Sequence, residues 1–127
     1  MANSDNVLRG GLTTKHIDVD ELMRVVRFEA EEPVLLPVEA QGPRTYHYGT
    51  SAPEFTVWRV DPGEAPVAIP GIGARIGLVL EGDAQLTAGG ETLDLNRGES
   101  VLLSAGDCAT VAGTGVLYVS GPHGLDW

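Results

Sequence analysis

The stretch Ala84-Gln85-Leu86-Thr87-Ala88-Gly89-Gly90-Glu91-Thr92-Leu93-Asp94-Leu95 decides the fold class, because it reads as two short strands joined by a tight turn. Leu86 on the first arm and Leu93 and Leu95 on the second alternate with polar residues, a period of two that is typical of a sheet with one solvent-facing side. Gly89-Gly90 suits the positive φ angles of a two-residue turn. This segment therefore predicts an antiparallel hairpin.

Similar short segments surround this hairpin, and turn residues end each of them. Extended segments are predicted at residues 55–60, 75–81, 84–88, 91–95, 100–103, 109–112 and 116–120. The 17 glycines of the chain fall mainly at the corners between these segments. Seven or eight short strands with such turns predict a mainly β fold, a barrel or sandwich of the jelly-roll kind.

The N-terminal part of the sequence predicts one short helix. Its apolar residues follow the i, i+3, i+4, i+7 spacing of a single helical face: Val19, Leu22, Met23 and Val26. Asp18 precedes this stripe and Glu21 follows three residues later, which is a capping-box pattern with aspartate as the cap. We therefore expect a helix of about two turns that begins after Asp18.

Residues 29–53 contain repeated prolines, which exclude a helix and favour an extended connection. Within this connection, Tyr46-His47-Tyr48 is predicted as a short strand. The sequence therefore predicts three zones: a motif loop with a short helix at 1–28, a proline-rich connection at 29–53 and a β domain at 54–127.

The composition excludes several classes of protein. The chain has 127 residues and one cysteine, so Cys108 cannot form an internal disulfide, and this composition suits a reducing compartment. Eighteen acidic residues against eight basic ones argue against a nucleic-acid or anionic-membrane partner. The polar N-terminus lacks the pattern of a signal peptide, and no apolar run approaches the roughly 20 residues that cross a bilayer. We therefore expect a cytoplasmic location.

The histidines do not indicate a metal site. His16, His47 and His123 lie far apart in the sequence, and neither His-x-His nor Cys-x-x-Cys occurs. A zinc site needs three or four histidine, cysteine or carboxylate ligands at one point. We therefore expect that this chain binds no metal by itself and that its histidines lie at the surface or in loops.

The most distinctive polar segment is a short basic loop near the N-terminus. Arg9 and Lys15 bracket the sequence Gly10-Gly11-Leu12-Thr13-Thr14, and Lys15 is the only lysine in the chain. Residues 1–16 carry a net charge of +1, whereas the remaining residues carry −11. Backbone N–H groups at glycines and nearby cations can bind a phosphate, so the loop fits either a sugar-phosphate pocket or a solvated turn.

Residues 4–16, Ser4-Asp5-Asn6-Val7-Leu8-Arg9-Gly10-Gly11-Leu12-Thr13-Thr14-Lys15-His16, resemble the S-D-N-V-x-R-[AG]-G-L-T-P-K-x motif of type I mannose-6-phosphate isomerases. Thr14 departs from the proline of the motif. Residues 78–82 and 97–101 are similar to the metal-free C-terminal cupin half of that family. The resemblance implies a cupin-like jelly-roll barrel or sandwich preceded by one short N-terminal helix.

The family interconverts mannose 6-phosphate and fructose 6-phosphate, a reaction of carbohydrate metabolism that moves a proton between C1 and C2 through an enediol. The resemblance implies that Arg9 is the catalytic arginine, because a fixed cation can stabilise the developing enediolate. It implies that Lys15, Asp5 and Asn6 belong to the substrate-binding loop, with Asp5 and Asn6 shaping the loop by hydrogen bonds.

The resemblance also implies that part of the active site lies outside this chain. In the family, zinc is held by glutamine, histidine and glutamate side chains upstream of the motif, so Met1 is not expected to be the original start. We expect the C-terminal portion of an isomerase, inactive alone, whose partners are a sugar phosphate and a missing N-terminal catalytic domain. Two alternatives stay open. The first is a self-sufficient metal-free cupin that binds a small sugar or sugar phosphate, or that only pairs with itself as an interaction module. The second is a scaffold that docks onto a missing catalytic domain through its helix stripe.

Overall fold

The computed structural model describes residues 7–52 and 54–122. The chain forms two compact units, Met1–Val34 and Leu35–Trp127. The described part of the first unit contains the helix α1, Val19–Val25. The described part of the second unit contains the strands β1 (Val38–Gly42), β2 (Thr45–Tyr48), β3 (Thr56–Val60), β4 (Val67–Ala68), β5 (Arg75–Glu81), β6 (Asp83–Ala88), β7 (Glu91–Asn96), β8 (Ser100–Leu103), β9 (Ala109–Gly113) and β10 (Val116–Gly121).

Helix α1 begins where its capping signal predicts. The Asp18 carboxylate accepts a hydrogen bond from the backbone N–H of Glu21 at 3.0 Å, which satisfies a free donor of the first turn. The Glu21 carboxylate binds the Arg24 guanidinium, with Nε and Oε2 at 2.7 Å. The predicted short helix is thus confirmed. None of its side chains is buried, and no helix in the described residues is long and apolar enough to span a bilayer.

The strands form two antiparallel sheets, which confirms the prediction of a mainly β fold of the jelly-roll kind. The first sheet has six strands in the order β1-β2-β3-β10-β5-β8, and the second has four in the order β4-β9-β6-β7. One apolar core contains buried side chains from both sheets: Trp58, Val60, Ile69, Val79, Ala84, Leu86, Leu95, Leu103, Ala109, Val111, Leu117 and Val119. Burial of this shared core is what stabilises the sandwich.

The hairpin from which the fold class was inferred has the expected geometry. Gly89 and Gly90 have φ angles of 58° and 84°, as a two-residue turn between β6 and β7 requires. Leu86 and Leu95 are buried, whereas Leu93 is 47% exposed. Leu93 is less covered because β7 is the edge strand of the four-stranded sheet.

Two strands, β1 and β4, differ from the prediction. Residues 38–42 were expected to belong to the extended connection, yet they pair with β2 as a hairpin at the edge of the six-stranded sheet. All five residues of β1 are exposed, so the segment has no inward apolar positions to reveal a strand. β4 has only two residues and exists through its pairing with β9. The three-zone division of the chain stays a prediction.

Candidate functional site

The predicted site residues Arg9 and Lys15 lie on an irregular loop of the first unit, before α1. Arg9 is partly buried and Lys15 is exposed. Two consecutive residues between them, Gly11 and Leu12, have positive φ angles of 145° and 50°. A positive φ is uncommon for leucine and often marks a functional loop. The loop therefore has the backbone irregularity that a ligand-binding segment shows, in addition to its two cations.

A threonine side chain supports the same loop. The backbone N–H of Lys15 donates to Oγ1 of Thr13 at 3.2 Å, a local bond that fixes the turn just before the lysine. Among the described residues, neither the Arg9 guanidinium nor the Lys15 ammonium has a hydrogen bond or ion pair. Both cations are thus available for an anionic ligand. The other two predicted site residues, Asp5 and Asn6, lie outside the described residues.

The described residues do not fit the zinc ion of the family. His16 lies in the first unit, and Nε2 of His47 in β2 lies 2.8 Å from Oγ1 of Thr56. His123 lies outside the described residues. Within residues 7–52 and 54–122, no group of three histidine, cysteine or acidic side chains could hold a metal ion. The expectation that this chain binds no zinc by itself stays a prediction.

Arg75, the first residue of β5, is a buried cation that sequence reasoning did not single out. Its side chain is 1% exposed. Nε donates to the carbonyl of Gly73 at 2.9 Å, and Nη1 donates to the carbonyls of Pro70 and Gly71 at 3.2 and 2.5 Å. Nη2 donates to the carbonyl of Asp107 at 2.6 Å. Arg75 therefore ties two loops together and is a structural residue rather than a ligand-binding one.

A tyrosine pair lies on the outside of the six-stranded sheet. The hydroxyls of Tyr48 and Tyr118 are 3.2 Å apart, and their rings stack with centroids 6.1 Å apart at an interplanar angle of 27°. The pair borders a pocket of about 390 Å³ whose other walls are Leu36, Thr50, Phe55 and Val57. The sequence predicts a strand at Tyr46-His47-Tyr48. Local sequence does not indicate that Tyr48 contacts Tyr118, because the two residues are 70 positions apart.

The tyrosine pair leads to a prediction about the pKa of Tyr118 that a titration can test. The hydrogen bond with Tyr48 raises the pKa of Tyr118 above its usual value, and partial burial adds to the effect. We expect Tyr48→Phe to lower the pKa of Tyr118 towards about 10, the ordinary value of a phenol. An ultraviolet absorbance titration measures this change, with Tyr46→Phe as the control.

The sign of the linked stability change follows from the direction of the shift. The folded protein holds the Tyr118 proton more tightly than the unfolded chain does, so the stabilisation is complete below about pH 10 and is lost as the pH rises through the folded pKa. Tyr48→Phe should weaken this loss at alkaline pH. A tyrosine titration that is the same in Tyr48→Phe as in Tyr46→Phe would show that the hydroxyl pair does not set the pKa.

Comparison with known proteins assigns the β unit to a family. Residues 54–122 match the cupin domain of mannose-6-phosphate isomerase. The mannose-6-phosphate isomerase of Escherichia coli K12 is 38% identical over 119 residues, which cover 92% of this chain and 30% of that protein. Mannose-6-phosphate isomerase 2 of Arabidopsis thaliana is 35% identical over 107 residues, covering 83% of this chain and 24% of the relative.

A solved structure supports the same assignment. The mannose 6-phosphate isomerase of Salmonella typhimurium, bound to its substrate fructose 6-phosphate and a zinc atom, superposes with a TM-score of 0.78 at 32% identity. The superposition covers 97% of this chain and 32% of that one. The chain thus spans about a third of the length of the isomerases that it resembles. With a jelly-roll sandwich that matches their cupin domain, the chain belongs to the mannose-6-phosphate isomerase family.

Proposed function

We propose that this chain is the C-terminal portion of a mannose-6-phosphate isomerase and that it contributes the Arg9 loop to the active site. The observation that carries the proposal is the extent of the similarity. Relatives align with 92% of this chain, well beyond the cupin match at residues 54–122, yet the alignment covers only 30% of their own length. An alignment of this length extends into the N-terminal unit, which carries the basic loop, and this supports the proposal.

Aldose–ketose isomerisation requires a negative charge to develop on the substrate as the proton leaves carbon. A fixed cation near the developing enediolate lowers the barrier, because it needs no reorganisation during the reaction. Arg9 is a suitable cation, since its guanidinium presents a planar set of donors and has no partner among the described residues. Lys15 supplies a second positive charge, which suits the phosphate group of the substrate.

In this proposal, zinc and its ligands belong to the part of the isomerase that the chain does not match. A proton-transfer site that lacks the zinc ion and its ligands has lost a large share of its transition-state stabilisation. The isolated chain is therefore inactive, and its partner is the remaining catalytic portion of the enzyme. The complete enzyme acts in carbohydrate metabolism in the cytoplasm.

A fusion protein tests this function. The portion of the Salmonella typhimurium isomerase that precedes the region matched by this chain is joined to residue 1, and conversion of mannose 6-phosphate is measured by a coupled assay. We expect the fusion to be active, whereas the upstream portion alone is inactive because it lacks the Arg9 loop. A folded, zinc-loaded fusion without turnover would contradict the proposal.

The self-sufficient cupin alternative differs in a measurable way. If the chain were a complete sugar-phosphate-binding module, the unmutated chain would bind mannose 6-phosphate in a calorimetric titration, and Arg9→Ala would remove the binding. Our proposal predicts no saturable binding to the isolated chain, because the rest of the enzyme supplies part of the pocket.

A further inference from the structure

The outer side of the six-stranded sheet is largely apolar. Strand pairing places its outward-pointing side chains in two rows across the sheet, and we call the surface of these two rows the outer face. The first row is Tyr48, Val57, Ser120, Ile76 and Leu102, and the second is Tyr46, Arg59, Tyr118, Leu78 and Ser100. Ile76 is 57% exposed and Leu102 is 70% exposed. A contiguous apolar surface of this kind on a highly charged protein marks an interaction site.

Strand β5 shows the unusual character of this side most clearly, because it is apolar on both sides. Its inward positions, Arg75, Gly77 and Val79, are buried, while the larger apolar residues Ile76 and Leu78 are exposed. Antiparallel strands with a solvated side alternate apolar and polar residues, whereas strands covered on both sides are apolar throughout. The sequence of β5 is thus that of a strand with a covered outer side.

The four-stranded sheet provides an internal comparison. Its exposed positions on the central hairpin are polar: Gln85, Thr87, Thr92 and Asp94. Gln85 donates to Asp94 at 2.8 Å, and the Thr87 and Thr92 hydroxyls are 3.3 Å apart, so this side is suited to contact with water. The two outer sides of one sandwich therefore differ in chemistry, and the apolar side is suited to contact with protein.

The outer face is nearly neutral, although the chain carries a net charge of −10. The charged residue of its two rows is Arg59. The Nε atom of Arg59 lies 2.6 Å from Oδ1 of Asp61, and its guanidinium carbon lies 5.9 Å from the centre of the Tyr46 ring. The charge of Arg59 is thus balanced within this chain. The partner that suits such a face is an uncharged surface of aliphatic and aromatic side chains.

The size of the outer face fits a contact between parts of one polypeptide. The five strands from β2 to β8 lie about 4.8 Å apart with about five residues each, so a contact would cover roughly 400 Å² on each partner, or roughly 800 Å² in total. Domains of one chain meet over about 600–1,500 Å². Separate proteins that associate stably bury about 1,200–2,000 Å². The face is therefore large enough for an attached partner but small for a free one.

The point where the chain enters the β unit also favours an attached partner. This unit begins at Leu35. The next residue, Leu36, lines the pocket of about 390 Å³ that is also lined by Tyr48, Val57 and Tyr118 of the outer face. A polypeptide that precedes the β unit is therefore attached at the border of this face. Attachment raises the effective concentration of the partner, so a small interface is sufficient to hold it.

We propose that, in a complete isomerase, the outer face is covered by an apolar surface of the part that this chain does not match. This inference rests on the proposed function and adds the place at which the two parts meet. The alignment covers 30% of the Escherichia coli relative, so the larger part of such an enzyme remains to supply the covering surface. A second copy of this chain is a poorer fit, because it is not attached and two copies with a charge of −10 repel each other.

Thiol labelling of the fusion protein described above tests the proposal. All variants carry Cys108→Ser, because Cys108 is exposed and would itself react. Leu102→Cys places a thiol on the outer face, and Thr87→Cys places the matched control on the polar side of the other sheet. In the isolated chain, both thiols should react with a maleimide at similar rates. In the fusion, we expect the Leu102→Cys thiol to react more than about tenfold more slowly and the Thr87→Cys thiol to be unchanged. Mass spectrometry of the labelled peptides measures both rates.

A second substitution tests whether apolar contact causes the protection. Adding Ile76→Glu to the Leu102→Cys fusion puts a carboxylate into the interface, where its burial is unfavourable. We expect the labelling rate to return to that of the isolated chain. Ile76→Leu keeps an apolar side chain and should preserve the protection. Circular dichroism verifies that each variant folds, and Ile76→Cys is a second reporter that replaces Leu102→Cys if that variant does not fold.

Three outcomes would overturn the proposal. Equal labelling of Leu102→Cys in the isolated chain and in the fusion would show that the outer face stays uncovered. Equal slowing of the Leu102→Cys and Thr87→Cys thiols would indicate general shielding rather than contact at this face. Slow labelling of Leu102→Cys in the isolated chain that becomes faster on dilution would assign the face to a second copy.

Turnover of mannose 6-phosphate by the same fusion samples separates this inference from the proposed function. An active fusion whose Leu102→Cys thiol is unprotected would contradict the covered face and leave the function standing. A folded, zinc-loaded fusion whose Leu102→Cys thiol is protected but that shows no turnover would support the covered face and contradict the function.

Discussion

Replacing Arg75 with methionine is expected to lower the free energy of unfolding by about 3 to 5 kcal/mol, the usual cost of removing one side of a buried charged network. Methionine fills a similar volume but donates no hydrogen bond. The carbonyls of Pro70, Gly71, Gly73 and Asp107 would then lose their donor inside the protein. Urea unfolding followed by circular dichroism measures the loss.

The size of this effect follows from the geometry of the guanidinium. Its planar arrangement of donors reaches four carbonyls in two loops, and no carboxylate of the described residues lies within salt-bridge distance. The same turn holds a second link, from the N–H of Gly106 to the carbonyl of Ile72 at 2.8 Å. Without Arg75, this weaker bond is left to join the two loops.

Two control variants separate burial from charge. Arg97→Met removes the same charge from an exposed position and should change stability by less than about 0.5 kcal/mol. Arg75→Lys keeps the charge but cannot reproduce the planar set of donors, so its loss should be intermediate. If Arg75→Met were no more destabilising than Arg97→Met, the four carbonyl contacts would not be important for the fold.

Replacing Arg9 with alanine in the active fusion protein is expected to lower kcat/KM by about 10²- to 10³-fold, the typical effect of removing one group that stabilises transition-state charge. The loss should appear mainly in kcat, because the cation acts most strongly on the developing enediolate. Lys15→Ala should instead raise KM, since Lys15 is proposed to hold the substrate.

The matched control for Arg9 is another arginine of the same unit. Arg27 is exposed and lies outside the motif loop, so Arg27→Ala should leave both kinetic constants close to those of the fusion. Equal effects of Arg9→Ala and Arg27→Ala would indicate a general charge effect and would remove Arg9 from the catalytic site.

Much of the β architecture could be predicted from local sequence. The hairpin at Gly89-Gly90 and the seven extended segments recur as strands β3 and β5 to β10, because alternation and turn glycines are local properties. β1 could not be predicted in this way. Its five residues are all exposed, and its conformation is determined by pairing with β2 rather than by its own pattern.

The orientation of β5 illustrates a second limit of sequence patterns. Alternation alone would place the larger Ile76, Leu78 and Leu80 in the core, yet the structure buries Arg75, Gly77 and Val79. The inside of the sandwich is crowded at this strand. A Cβ on Gly77 would lie 3.1 Å from a methyl group of Val101 and 3.3 Å from one of Leu117. Packing across the core therefore decides which side of β5 faces inward.

The polar residues singled out above also differ in whether local sequence can reveal them. Arg9 and Lys15 could be named from sequence because the motif is contiguous and its glycines and cations lie within a few residues. Sequence could not reveal the contacts of Arg75 or the Tyr48–Tyr118 pair. The bond from Arg75 to Asp107 and the contact between the two tyrosines each join segments that are distant in the chain. Such contacts arise only when strand pairing and loop packing bring distant segments together.

An isomerase assay on the purified 127-residue chain, with mannose 6-phosphate as substrate and zinc added, tests directly whether its active site is incomplete. We expect no turnover above the buffer control, because the chain is proposed to supply the Arg9 loop and the cupin domain but not the metal site. Turnover by this chain at a rate comparable to that of the fusion protein would show instead that the chain holds a complete active site.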